Sequence, residues 1–296
     1  MGIDASFAEL LVGARAEGAD FGRTVTIGRL SLYVPREELE RLAGLLGLGK
    51  DEIDKAGGDR YCETFLSRFL GAQSVDSIDH SSYQGASHAH DLNQPLPERL
   101  RGAFDALIDG GSMEHIFDVR QVLENYMRLI KVGGRLFVSV PANNLFGHGV
   151  CQFSPELFYR VFSESNGFAV RDMIVTESPF TSVEASRRWR SYRTVDPATV
   201  GKRVRLVNNK PLMVSVYAEK VAEVRPFESS PQQSDYSARW QASQQEPAME
   251  VARGQAQEPP VRPFAYHSFW KEVKRRLRQS RKHSLANRLF FKPIRQ

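Results

Sequence analysis

The 296-residue chain has only two cysteines, Cys62 and Cys151. Thiols so few and so far apart suggest neither a metal knuckle nor a disulfide framework; they read as small buried apolar residues in a reducing compartment. No uninterrupted apolar run approaches the roughly 18 residues that a membrane-spanning helix needs. The opening MGIDASFAELLVGARAEG carries acids and arginine where a signal peptide is apolar. These features together predict a cytoplasmic protein. No internal repeat is present, which excludes a solenoid or propeller. What remains, 41% hydrophobic, 10% aromatic and 25% charged, is the composition of a globular protein long enough to bury a sizeable core.

The net charge of +5 is unevenly divided: residues 262–296 hold eleven Lys and Arg against Glu272, a charge of +10, leaving −5 for the other 261. A mildly acidic body therefore carries a strongly basic tail, and the overall charge says nothing about what the body binds.

Apolar spacing predicts a helix at Asp4–Ala16 and a strand at Thr24–Leu32, stopped by Pro35. Helices follow at Arg36–Leu48 and Asp59–Leu70, then short strands at Ser74–Asp79 and Ala86–His90. The middle is the most regular part. FDALID, 104–109, is an apolar strand broken by Gly110 and Gly111; Phe117–Ile130 is an amphipathic helix ended by Gly133 and Gly134; RLFVSVP, 135–141, is apolar enough to be buried on both faces. This is a βαβ unit, hence parallel strands with a right-handed crossover. A helix at Ser154–Ser163, with Ser154 as cap and Pro155 in its first turn, and a strand at Ala169–Glu177 come next. Val204–Val207 and Leu212–Ala218 are separated by only four residues, too few for a crossover, so they are expected to form an antiparallel hairpin.

Residues 104–142, with 75–97 and the closing VRLVNNKPLMVSVYAEK, resemble the class I S-adenosylmethionine-dependent methyltransferases, particularly the type 11-like group that acts on small molecules, lipids and sugars. The resemblance spans about residues 22–220. It implies an α/β fold, a doubly wound, mostly parallel seven-stranded sheet with a terminal antiparallel hairpin. The methyltransferase-like domain would occupy 1–222, with an inserted helix at about 36–48. A flexible linker would follow at 223–263, where Gln, Ser, Pro and Glu dominate, and a basic amphipathic helix at 264–296. The absence of G-x-G-x-x-G and the terminal hairpin disfavour a nicotinamide oxidoreductase.

The implied cofactor is S-adenosyl-L-methionine. Ligands of such sheets lie beyond the carboxyl ends of the strands, where loops diverge. Asp79, ending the second strand of the family pattern, would accept the ribose hydroxyls; as a bare signal it equally fits a turn residue. Asp91 and Leu92 match the adenine pair, in a segment that otherwise reads as a common turn. Asp109 and Gly110 follow the fourth strand, where methyl donor meets acceptor. Glu114 and His115 match the acid-histidine pair of the next helix, with His115 a candidate base. One departure is plain: in place of the family's glycine-rich first loop, TVTIGRLSLYV offers Gly28 alone. The function implied is methyl transfer to an oxygen or nitrogen of a small molecule, sugar, glycan or lipid-linked acceptor. A non-catalytic binding module with the same fold, tethered by its tail, is the alternative.

Asn143, Asn144 and His148 lie in the polar loop after the fifth strand, where acceptor contacts and plain loop hydrogen bonding are both available readings. His88 and His90 share a strand face without a third ligand, and RRWRSYR, 187–193, reads as a solvated loop or a weak anion-binding segment. In the tail, Phe269, Trp270, Val273, Leu277, Leu285 and Leu289 line one side of a helical pattern and basic residues the other. That suits peripheral contact with an anionic membrane surface through residues 264–296; a protein partner or a nucleic-acid backbone also suits the charge.

Overall fold

A computed structural model describes residues 2–177, 189–201, 203–245 and 284–294, with side chains described as far as residue 240 in the third stretch. In chain order the elements are β1 (Gly2–Asp4), α1 (Ala5–Ala16), β2 (Arg23–Ile27), β3 (Ser31–Tyr33), α2 (Arg36–Leu46), α3 (Lys50–Gly58), α4 (Glu63–Phe69), β4 (Ser74–Asp79) and β5 (His88–Ala89). They continue with β6 (Phe104–Asp109), α5 (Val119–Leu129), β7 (Ile130–Asn143), α6 (Pro155–Val161), β8 (Phe168–Glu177) and β9 (Arg190–Thr194). The last are α7 (Pro197–Val200), β10 (Leu212–Lys220), α8 (Ser234–Gln245) and β11 (Phe291–Pro293).

One nine-stranded sheet runs in the order β11-β9-β8-β10-β7-β6-β2-β4-β5. The segment from β5 through β2 to β7 is parallel, while β10 is antiparallel to both its neighbours, β7 and β8. Without the edge pair β9 and β11, the remaining seven strands make the Rossmann-like methyltransferase fold, with order reversing beside β2. The two faces follow from alternation along each strand. Leu107, Leu136, Val138, Val214 and Val216 face the layer of α5 and α6, whereas Ala106, Ile108, Phe137 and Tyr217 face α1 to α4. On the second face Phe137 stacks between Phe21 and Tyr217, at centroid distances of 5.2 and 4.7 Å. Among the described residues no helix is long and apolar enough to cross a membrane.

Several expectations need correction. The strand expected over Thr24–Leu32 is two: Gly28, at φ +67°, turns the chain, and Ser31–Tyr33 pairs with Gly2–Asp4 in a separate small sheet. The helix expected over Asp59–Leu70 starts only at Glu63, and α3 precedes it. Residues 204–207 form no strand; both edges of β10 are taken by β7 and β8, so the hairpin has no free edge to form on. Pro155 opens α6 as expected, but Ser154 makes no capping hydrogen bond. The segment read as a flexible linker contains α8, held to the body where Ser234 N–H donates to Glu156 at 2.8 Å and Arg203 pairs with buried Asp235 at 2.9 Å. RRWRSYR does not remain a loop where it is described: Arg190–Thr194 is β9, with Arg193 bidentate on Asp172. Of the tail helix, residues 264–283 lie outside the described residues. Residues 284–290 are bends and turns rather than helix, and 291–293 add β11 to β9 with Phe290 and Phe291 buried.

Candidate functional site

A cleft of about 340 Å³ opens at the carboxyl ends of β2, β4 and β5, where the strand order reverses. Its walls are Gly28 from the end of β2, Asp79 and His80 from β4, His90 to Asn93 after β5, and Ser112, His115 and Ile116 after β6. Four residues selected from sequence as cofactor contacts, Gly28, Asp79, Asp91 and Leu92, therefore meet in one hollow, although up to 64 positions separate them along the chain.

Gly28 and Leu92 are held by long-range contacts, and Asp91 by a neighbour in its own turn. Gly28 N–H donates to Ile78 O at 2.7 Å, extending the parallel ladder past β2 and setting Gly28 beside Asp79. Among the described residues, no side chain or backbone group hydrogen-bonds the Asp79 carboxylate; it faces the cleft unpaired. The Asp91 carboxylate accepts from the backbone N–H of Asn93 at 3.0 Å and from its side-chain amide at 2.8 Å. Those bonds hold it below the usual carboxylate range. Leu92 is fixed through its carbonyl, which accepts from Asn125 Nδ2 at 3.0 Å; the same amide donates to Gln94 O at 2.9 Å.

Two expected contacts do not reach the cleft. Asp109 is fully buried beneath it, accepting from Ser112 N–H at 2.7 Å, Met113 N–H at 3.1 Å and the Tyr126 hydroxyl at 2.8 Å. Its carboxyl is pushed up by burial, against which these three donors work. It builds the turn that carries His115 rather than meeting a reacting group. Gly110 is covered by the N-terminal strand. Gly2 N–H donates to Gly110 O at 2.8 Å, and a Cβ on Gly110 would stand 2.5 Å from Gly2 O. The place of the absent glycine-rich loop is thus flanked by β1 and β3.

His115 is half-exposed on the cleft wall, and burial, then His148, lower its basicity. Its ring lies 5.5 Å from that of His148. Glu114 has no exposed surface, and among the described residues neither carboxylate oxygen has a hydrogen-bond partner. Burial and the Asp109 charge push it up to about 8. Asn143 and Asn144 are turned away, both donating to Asn208. Asn143 also borders a second, mainly apolar cavity of about 290 Å³ between α6, α7 and β10. His90 lines the cleft, whereas His88 faces Asp76 at 3.5 Å and the edge of Phe104.

Ser112, Asn125 and Tyr126 were not legible as site residues. Ser112 Oγ donates to Ile27 O at 2.8 Å, tying the loop after β6 to the end of β2. The only sequence signal for Asn125 is an amide on the otherwise apolar face of α5.

No family model matches the chain, and no curated protein matches it. Solved structures do resemble it in architecture. The YcgJ protein of Bacillus subtilis is 13% identical, with a TM-score of 0.41 over 73% of this chain and 100% of that one. The 1,6-didemethyltoxoflavin-N1-methyltransferase of Burkholderia thailandensis, with bound S-adenosylhomocysteine, is 11% identical, with a TM-score of 0.38 over 74% of this chain and 80% of that one. The geranyl diphosphate C-methyltransferase of Streptomyces coelicolor is 14% identical, with a TM-score of 0.40 over 73% and 77%. The strand order of the chain itself defines its fold.

Proposed function

We propose that the chain is an S-adenosylmethionine-dependent methyltransferase that alkylates an oxygen or nitrogen of a small molecule, sugar, glycan or lipid-linked acceptor. The observation that carries this reading is the unpaired Asp79 carboxylate at the end of β4, facing a cleft that also holds Asp91, Leu92 and Gly28. A lone carboxylate there suits a vicinal diol, because its two oxygens accept both hydroxyl hydrogens. The cleft volume is within the range of small-molecule sites. Asp79 would hold the ribose, Asp91 and Leu92 the adenine, and Gly28 the turn beside the methionine. When bound, the cofactor supplies a methyl group on a cationic sulfur, open to direct displacement. His115, its basicity lowered by burial and then by His148, would take the proton that the acceptor loses. Of the basic tail, 264–296, the part before residue 284 is proposed to contact an anionic membrane surface.

One observation favours the alternative of a binding module without catalysis. The strand Gly2–Asp4 lies over Gly110, beside a first turn that has no glycine-rich loop. Calorimetric titration with S-adenosylhomocysteine separates the two. Micromolar binding by the wild type, lost in Asp79→Ala, supports the enzyme; no binding by the wild type supports the module.

A further inference from the structure

Glu114, His115 and His148 bring one carboxylate oxygen and two imidazole nitrogens to within 4.8 Å of one another. From these residues we infer that the chain holds a divalent first-row transition cation, bound by Glu114, His115 and His148 at the rim of the cleft.

The first observation is the state of Glu114. It has no exposed surface, and among the described residues neither oxygen has a hydrogen-bond partner. A buried carboxylate left unsatisfied is costly, and native structures leave few such groups without a role. Its Oε1 points at two imidazoles, lying 3.6 Å from His148 Nε2 and 3.9 Å from His115 Nε2.

The second is that separate elements are tied together here. His115 sits on the turn capped by buried Asp109. His148 comes from the loop after β7, which is fastened to Glu114 itself, since Val150 N–H and Cys151 N–H donate to Glu114 O at 2.7 and 3.2 Å. Gly149, at φ +83°, permits that approach; a Cβ would stand 2.6 Å from Glu114 O and 2.8 Å from its Cγ. The loop is thus built to set His148 against a carboxylate 34 positions earlier.

The donor set selects the ion. Two imidazoles and one carboxylate suit zinc or divalent iron, cobalt or manganese better than calcium or magnesium, which prefer all-oxygen shells. Metal–ligand bonds of about 2.0–2.2 Å place ligand atoms about 3–3.5 Å apart, so closure needs movements of about 1 Å. The two half-exposed histidines can make them by side-chain rotation while Glu114 stays fixed. Three protein ligands leave positions open, and His115 also lines the cleft, so an oxygen or nitrogen of a bound small molecule can complete the shell. With the cation bound, His115 Nε2 is committed as a ligand, and the cation acidifies the group it binds. The cation site does not rest on the methyl-transfer reading; where it is occupied, the cation replaces His115 as the group that eases the acceptor's loss of a proton.

The test uses the full chain without an affinity tag, stripped by chelator and titrated with Co²⁺ while visible absorption is recorded, then with Zn²⁺ in competition. One equivalent of Co²⁺ should give ligand-field bands that Zn²⁺ abolishes. His148→Ala and Glu114→Gln should each weaken binding at least about tenfold, while His88→Ala, an imidazole outside the cluster, leaves it unchanged. His148 is half-exposed, so its variant should keep the wild-type circular dichroism. Absence of bands in the wild type, or equal affinity in the folded His148→Ala protein, overturns the inference.

Discussion

Asn125→Leu tests how the fold holds the cleft. Asn125 is fully buried on α5, and its Nδ2 donates to Leu92 O and Gln94 O at 3.0 and 2.9 Å. Leucine has a similar volume but no donor, so Leu92 O loses its partner and Gln94 O keeps only the His90 ring at 3.2 Å. A buried acceptor left unsatisfied costs roughly 1–3 kcal/mol. Leu92 O is buried and bears the full cost, whereas the bond to Gln94 O is only part-buried and water can replace it in part. The sum is about 2–4 kcal/mol, or a fall in Tm of roughly 5–15 °C for a domain of this size. The freed Asp91–Gln94 turn would have to be reordered by a ligand, at about 1–2 kcal/mol per residue, so affinity for S-adenosylhomocysteine should fall at least about tenfold. Urea denaturation and calorimetry on the same preparation read both effects. Lost stability with unchanged affinity would show that the turn does not touch the cofactor, and unchanged stability would refute the hydrogen-bond argument itself.

Other consequences follow from single contacts. Glu114 keeps its proton in the folded, metal-free chain up to about pH 8. The unfolded chain releases that proton from about pH 4.5, so stability should fall between these values by up to a few kcal/mol. Urea denaturation in chelator should show Glu114→Gln losing less stability than wild type from pH 5 to pH 8, and parallel pH profiles would contradict the burial argument. Gly110→Ala should push the N-terminal strand off the end of β6, read as faster amide exchange in residues 2–4 and 31–33; unchanged exchange would refute that packing. Deleting 262–283, leaving the segment of β11 in place, should abolish sedimentation with anionic liposomes at low salt; unchanged sedimentation would remove the membrane proposal.

How much of this could be read from sequence depends on the range of each interaction. The strand Phe104–Asp109 was legible to the residue because an apolar run meets two glycines, a purely local signal. Asp79 was placed by its position at a strand end, and Asp91 and Leu92 by the family resemblance; the fold brings the three to a shared cleft. Asp109 misled because a carboxylate after a strand can face a ligand or cap the next turn; here the Ser112 and Met113 N–H groups take it as a cap and the Tyr126 hydroxyl, 17 residues on, holds it under the cleft. Strand β9 was missed because Arg190 and Arg193 interrupt its apolar pattern, and β11, its partner on one edge, lies about a hundred positions away. Asn125 is bound to residues 31 and 33 positions back, and the meeting of Glu114 with His148 needs the loop after β7 to fold back, which no local pattern records.

On the proposed function, the hollow beside Asp79 receives the nucleoside of S-adenosylmethionine. Crystals grown with S-adenosylhomocysteine test it most directly. Both ribose hydroxyls should lie on the Asp79 carboxylate and the adenine between Asp91 and Leu92. Density for the nucleoside elsewhere, or an empty cleft at saturating ligand, would contradict it.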